Sequence, residues 1–263
     1  MLKKLLKYDV ENIFKFLFVF YGLSLFFAVL TRLFLGINDS FIINIIGQVC
    51  SGITISMIFN IIINNLLRLW VRFKSNFYGD EAYLTHTLPI EKKTLYFSKA
   101  LTGVVTLFVS VVVIGITLFI AYYSKENIEM LKNVLLGVAN AYGSTVLKIL
   151  LAFMFVFFLQ FANILQAGFS GILLGHKMNN MKMAFSVLYG FGVYMLTQLF
   201  ALLMIFIVAL FNDDMMNLFF TTTVINIDMF KMIIYLAIVI YAISLVGVYL
   251  VNSKLFKKGV NVD

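Results

Sequence analysis

Six long apolar runs constrain what this chain can fold into more than any other feature. They cover residues 14–35, 41–67, 100–123, 146–174, 184–211 and 230–252, and each exceeds the roughly 20 residues that carry a helix across a hydrocarbon core. Backbone polar groups cannot stay unpaired in lipid, so runs of this length are helical. A membrane barrel needs alternating strands of about 10 residues, which the sequence lacks. We therefore predict an all-α, polytopic membrane protein with six transmembrane helices in a single transmembrane domain, 1–263.

The composition agrees with this class and excludes several kinds of site. Hydrophobic residues make up 62% of the chain and charged residues 12%, against about half and a quarter in soluble domains. The one cysteine, Cys50, lies in an apolar run and has no second cysteine to pair with. Two histidines without a C-x-x-C pair predict no metal site. Both histidines, His86 and His176, are expected in cytoplasmic loops, His176 as a solvated residue.

The basic residues predict the orientation of the chain. If both termini are cytoplasmic, 15 of the 20 Lys and Arg lie on the inner side, as the positive-inside rule requires. The net charge of +8 is thus distributed in flanks and loops, and we predict no nucleic-acid partner. The topology is N-in and C-in, with residues 68–99 as a cytoplasmic loop. The outer segments 124–145 and 212–229 are too apolar for solvated loops. Each could therefore be an interfacial or re-entrant segment.

The N-terminal segment 1–13 has an amphipathic pattern. Leu2, Leu5, Leu6, Val10 and Ile13 recur at helical spacing with lysines between them. This pattern is typical of an interfacial helix on the inner leaflet, where lysines contact anionic membrane lipid. The alternative is a charged flank that only sets the topology.

Residues 79–99 form a polar insert that carries the only proline of the chain. We expect Asp80 to cap a short helix and Glu81 to lie in its first turn, where a negative charge is favourable. This helix should end near Thr87, because the residue before Pro89 is driven out of helical geometry. Pro89 should then occupy the first turn of the next helix, which continues into the third span.

A connection between two helices needs only a few residues, and this loop runs from 68 to 99. Its length favours a surface that binds a partner. A helical hairpin that only covers the end of the bundle is the alternative that the residues leave open.

The stretch DEAYLTHTLPIEKKTLYFSKAL, residues 80–101, resembles the cytoplasmic loop of permease subunits of bacterial ABC transporters of the type-2 exporter class. That loop has an acidic residue before Tyr-Leu, then Thr-Leu-Pro and an aliphatic residue, then a Ser-Lys pair where the next span begins. The matching residues are Glu81, Tyr83, Leu84, Thr87, Leu88, Pro89, Ile90, Ser98 and Lys99. His86 departs from the small or apolar residue of that pattern. The six-span layout is similar as well.

The resemblance implies a coupling helix that docks in a groove of a separate ABC-type ATPase. The implied docking residues are Asp80, Glu81, Tyr83, Leu84, Thr87, Leu88 and Pro89. The chain has no G-x-x-x-x-G-K-[ST] motif for nucleotide phosphates. It is therefore expected to be a non-catalytic subunit, without a cofactor of its own and with ATP and Mg²⁺ held by the partner. A second permease subunit, identical or related, and a bacterial cytoplasmic membrane are also implied.

Polar residues within the spans are candidates for a translocation path, because buried polar groups in membranes face the bundle interior. The candidates are Asn44, Gln48, Ser51, Asn60, Asn64, Gln160, Asn163 and Gln166. Hydrogen bonds between helices are the alternative role for these side chains.

No acidic residue lies deep in a span, which disfavours an ion-coupled carrier and an ionic substrate. We expect an exporter of an amphipathic or hydrophobic substrate, such as a peptide antibiotic, a drug or a lipid-linked molecule. The alternative is a membrane scaffold or accessory protein that recruits a cytoplasmic partner without transport.

Overall fold

The structure, a computed structural model, describes residues 2–37, 41–141, 145–212, 215–216 and 227–258. Its helices are α1 (Leu2–Leu35), α2 (Phe41–Tyr78), α3 (Ala82–Thr87), α4 (Lys92–Tyr122), α5 (Lys125–Ala141), α6 (Val146–Gly175), α7 (Lys182–Ala209) and α8 (Ile227–Lys257). Among the described residues there is no strand. Six helices, α1, α2, α4, α6, α7 and α8, are long and apolar enough to cross a membrane. The prediction of an all-helical chain with six helices long and apolar enough to span a membrane is confirmed for the described residues.

Several helices extend beyond the apolar runs that predicted them. Helix α1 is continuous from Leu2, so residues 1–13 are not a helix separate from the first span. Helix α2 continues past residue 67 to Tyr78, and α4 begins at Lys92 rather than at residue 100. Lys, Arg and Leu are strong helix formers, so charge ends the hydropathic signal without ending the helix.

The structure describes one of the two predicted outer segments and little of the other. Residues 124–145 contain α5, a helix of 17 residues whose side chains are exposed from Lys125 to Lys132. A continuous helix of this kind fits the interfacial interpretation of that segment. Most of the second segment, 212–229, lies outside the described residues.

The chain divides into two compact units, which the prediction of a single transmembrane domain did not anticipate. The first unit comprises residues 1–73 and 89–131, and the second comprises residues 74–88 and 132–263. The last turn of α2 and the whole of α3 therefore belong to the second unit.

Buried hydroxyl and amide groups connect the helices of the first unit. The Tyr21 Oη atom lies 2.7 Å from Ser110 Oγ, which also accepts a hydrogen bond of 2.8 Å from Asn65 Nδ2. Near the other end, the hydroxyls of Thr31 and Thr54 are 3.0 Å apart. These contacts link α1, α2 and α4, and hydrogen bonds between membrane helices contribute about 0.6 kcal/mol each.

Small residues let α6 and α7 of the second unit approach closely. A Cβ atom built on Gly171 would lie 2.6 Å from Gly190 N, and one on Gly175 would lie 2.6 Å from Ser186 Cα. Both distances are shorter than any carbon side chain allows, so the two backbones touch at these glycines. This is the small-xxx-small packing that membrane helices use in place of a hydrophobic driving force.

Candidate functional site

The short helix α3 begins and ends close to the predicted positions, but its N-terminus differs. Glu81, not Asp80, is the N-cap, and it makes no capping hydrogen bond. Its carboxylate instead accepts a hydrogen bond from Asn76 Nδ2 at the end of α2. The predicted capping role of Asp80 is therefore wrong. The helix ends at Thr87 and Leu88 is extended, as expected for the residue before a proline.

Pro89 is not in the first turn of the following helix. Helix α4 begins at Lys92, and its N-cap Glu91 has an extended backbone with ψ of 136°. That conformation delays the helix by three residues, so Pro89 lies in the non-helical link between α3 and α4. The proline still ends α3 but does not start α4, and this part of the prediction is wrong.

Contacts within the second unit hold α3 against the end of α2, which itself packs on α8. Ala82 is completely buried. His86 Nε2 lies 3.3 Å from the carbonyl oxygen of Phe77, which can only accept, so this nitrogen donates. The Phe77 ring in turn packs on Phe256 of α8 with 4.5 Å between centroids. His86, the residue that departs from the family pattern, therefore ties α3 to the end of α2.

The other side of α3 exposes large apolar side chains. Tyr83 is 64% exposed and Leu84 74% exposed, and Leu88 follows at 42%. Asp80, Glu81, Thr87 and Pro89 are also exposed. The segment lies outside the apolar spans, so this surface is predicted to face water, where exposed apolar patches mark interaction sites. We call Tyr83, Leu84 and Leu88 the α3 apolar patch.

The candidate path residues of α2 are spread along that helix. Asn44 and Gln48 are exposed, and Ser51 Oγ lies 2.7 Å from the Tyr122 hydroxyl of α4. The amides of Asn60 and Asn64 donate to backbone carbonyls of their own helix, Ser56 O and Asn60 O, both at 2.9 Å. These α2 residues belong to the first unit.

The candidates on α6, in the second unit, take part in contacts between helices. Gln160 Nε2 donates to the Tyr194 hydroxyl at 3.3 Å. Asn163 Nδ2 donates to Tyr241 O at 2.9 Å. Gln166 accepts from Asn252 Nδ2 through both its backbone and its side-chain oxygen, at 3.0 and 3.3 Å. These contacts are those of the alternative role, hydrogen bonding between helices.

A buried ion cluster in the first unit escaped the sequence analysis. Asp9 of α1 is 3% exposed, and its two carboxylate oxygens accept from Arg72 Nε at 2.7 Å and Lys99 Nζ at 2.6 Å. The partners are 63 and 90 residues away along the chain, so no local pattern predicts the contact. The cluster ties α1 to the part of α2 that precedes the polar insert and to α4 at Lys99, the last residue of the insert.

His176 is buried, not solvated as predicted. It is 6% exposed, and its Nδ1 donates to Ile172 O at 2.9 Å. Its ring packs on Tyr78 with 4.1 Å between centroids. Burial lowers the pKa of the imidazole, and the nearby charges of Lys74 and Lys182 lower it further, against the opposing hydrogen bond to Ile172. His176 is thus held neutral at pH 7.

The described residues contain no cluster of His, Cys, Asp and Glu that could hold a metal ion. Comparisons with models of known protein families, with curated proteins and with solved structures find no match to this chain.

Proposed function

We propose that this chain is the permease subunit of an ATP-driven ABC exporter and that α3 docks a cytoplasmic ATPase. The observation that carries the proposal is the α3 apolar patch, exposed on a short helix whose opposite side is anchored. The resemblance of residues 80–101 to the coupling loop of type-2 exporters supports the same role. The six apolar helices support a membrane location.

Anchoring matters because a coupling element must transmit force. Ala82 is buried and His86 bonds to Phe77, which ties α3 to α2, and Phe77 in turn packs on Phe256 of α8. A force applied at Tyr83 or Leu84 is therefore transmitted to α2, and through Phe77 to α8, and does not only deform a flexible loop. ATP binding can then shift the permease between two states, by as much as the ATPase prefers one state over the other.

The proposal assigns the other components to partner chains. The ATPase holds ATP and Mg²⁺, and a second permease subunit, a copy of this chain or a relative, completes the transporter. The substrate class is amphipathic or hydrophobic, because the spans offer few charges to neutralise an ion.

Alanine substitution of the patch tests the docking role. We expect Tyr83→Ala/Leu84→Ala to weaken ATPase binding at least 10-fold, since buried apolar side chains contribute roughly 1.5–3 kcal/mol each and aromatic anchors dominate interfaces. The chain is co-expressed with each P-loop ATPase encoded next to it. Co-purification, then substrate-stimulated ATP hydrolysis in liposomes, are the two measurements.

The matched control is Leu210→Ala/Phe211→Ala, an adjacent leucine and aromatic residue that directly follow α7. Both side chains are exposed, at 55% and 87%, so the pair loses a similar apolar area. It should leave ATPase binding unchanged. Equal binding by the patch variant and the wild type contradicts the docking role. ATPase binding without nucleotide-dependent transport supports the scaffold alternative instead.

A further inference from the structure

The second unit contains an elongated cavity between α6, α7 and α8, which is open to one side, where Leu196 and Val251 of its lining are more than half exposed. Its volume is about 390 Å³, within the roughly 300–1,000 Å³ of small-molecule sites. On α8 its lining runs from Ile243 to Leu255, which is about 18 Å along the helix axis at 1.5 Å per residue. The shape fits an extended chain better than a compact ring system.

The chemistry of the lining excludes a charged ligand. Of the 13 described residues that line the cavity, none is charged, and most are aliphatic. An ion would lose its hydration in this cavity without gaining a counter-charge. Toward one end, Ser170 Oγ and Asn252 Oδ1 are 2.7 Å apart and satisfy each other.

Ser244 is the lining residue whose hydrogen bonding is incomplete. Hydroxyls in membrane helices ordinarily donate to a backbone carbonyl of the preceding turn. Thr197, another lining residue, does so to Tyr194 O at 2.7 Å. Ser244 is 7% exposed, and among the described residues its Oγ has no partner. A ligand acceptor in the adjoining cavity would supply the missing contact.

We propose that this cavity binds a neutral amphipathic molecule. Its apolar chain lies along α8, and an uncharged ester, amide or hydroxyl oxygen accepts a hydrogen bond from Ser244. This site would hold the substrate class of the proposed function. Binding to the cavity does not depend on that function, but transport of the bound molecule rests on it. Membrane glycerolipids and an exported molecule share this chemistry.

Gly247 offers a way to fill the cavity without disturbing the fold. It lines the cavity, and a Cβ atom built on it meets no heavy atom within 4 Å. Gly247→Leu therefore extends a side chain into open space. Gly22 of α1 is equally open and lies in the other unit, so Gly22→Leu is the matched control. Leucine favours helix over glycine at both positions.

The test uses the full chain in nanodiscs, without ATPase, and a monoacylglycerol with a photoreactive diazirine in its acyl chain. Mass spectrometry then locates the adducts. We expect adducts on α7 and α8, reduced at least 10-fold in Gly247→Leu and unchanged in Gly22→Leu. Ser244→Ala, which leaves the cavity open, should lower probe affinity about 3- to 10-fold, the loss of one hydrogen bond. Equal labelling of wild type and Gly247→Leu, or adducts outside α6–α8, overturns the proposal.

Two further measurements distinguish membrane lipid from a transported molecule, and distinguish failure of this site from failure of ATPase docking. If native mass spectrometry finds glycerolipid retained by the wild type and lost in Gly247→Leu, the occupant is membrane lipid. If the wild type is empty but takes up the probe, the site serves a transported molecule. If the chain is empty and takes up no probe, the site does not exist. Tyr83→Ala/Leu84→Ala should bind the probe normally, so a failed docking test leaves this result standing.

Discussion

At the scale of single residues, Asp9 holds two cations with one buried carboxylate. Removal of one member of a buried ion cluster leaves uncompensated charge, which costs about 3–5 kcal/mol. We therefore expect Asp9→Asn to lower the free energy of unfolding by about that amount, because Arg72 and Lys99 then lose the carboxylate that they share. Denaturant unfolding in detergent measures it.

Glu11 is the control for Asp9. It lies on the same helix and is exposed, so Glu11→Gln should change stability by less than about 1 kcal/mol. If the two variants unfold alike, the cluster contributes nothing particular to the first unit.

His176 predicts a pH dependence with a definite sign. Its pKa is lower in the folded protein than the ordinary value of 6.5, so the unfolded chain takes up a proton first as the pH falls. The stability contribution is complete above about pH 6.5 and is lost as the pH falls below it, toward the folded pKa. Thermal unfolding between about pH 7.5 and 5.5 should show a larger loss of stability in wild type than in His176→Gln. Parallel curves for the two proteins contradict this expectation.

At the scale of helices, the α6–α7 contact is the tightest constraint in the second unit. Gly171→Ala and Gly175→Ala should each destabilise the protein by about 1–3 kcal/mol, the usual cost of overpacking, because the new Cβ meets the α7 backbone. Gly192→Ala, on α7 in open space, should be neutral or slightly stabilising. A thermal shift as small for Gly171→Ala as for Gly192→Ala would show that the helices separate freely.

The sequence predicted which segments are helices better than where those helices end. The apolar runs locate the six candidate membrane-spanning helices of the described residues. In lipid, a long apolar segment can satisfy its backbone hydrogen bonds within itself only as a helix. The runs miss the first turns of α1 and the last turns of α2, where lysine and arginine extend a helix beyond the lipid-like stretch. Pro89 permits a helix start but does not require one, and the extended backbone of Glu91 determines the start of α4.

At the scale of the whole molecule, contacts between distant segments were beyond sequence reasoning. The Asp9 cluster joins residues 63 and 90 positions apart, and one sequence carries no record of such pairing. The polar residues of α6 were found, but their partners Tyr241 and Asn252 on α8 were not. Only the resemblance indicated that Tyr83 and Leu84 are exposed. From the sequence alone, an apolar residue beside a span is equally compatible with a side chain packed against the helices.

Within each unit, the contacts group the helix ends that the charge pattern assigns to the cytoplasm. Asp9, Arg72 and Lys99 meet in the first unit, near the start of α1, the end of α2 and the start of α4. In the second unit Phe77 meets Phe256 and Tyr78 meets His176, which joins the ends of α2, α8 and α6. Both groupings fit the predicted topology, in which successive helices cross the membrane in opposite directions.

The proposed function requires that α3 face a cytoplasmic ATPase. A single cysteine at position 84 makes this requirement measurable. Cys50 is buried and is the only cysteine, so Cys50→Ala provides the background for Leu84→Cys. A benzophenone maleimide attached at position 84 in inverted membrane vesicles is irradiated, and its adducts are identified by mass spectrometry. We expect a covalent adduct with a P-loop ATPase. Labelling of position 84 by an impermeant maleimide from outside intact cells would contradict it.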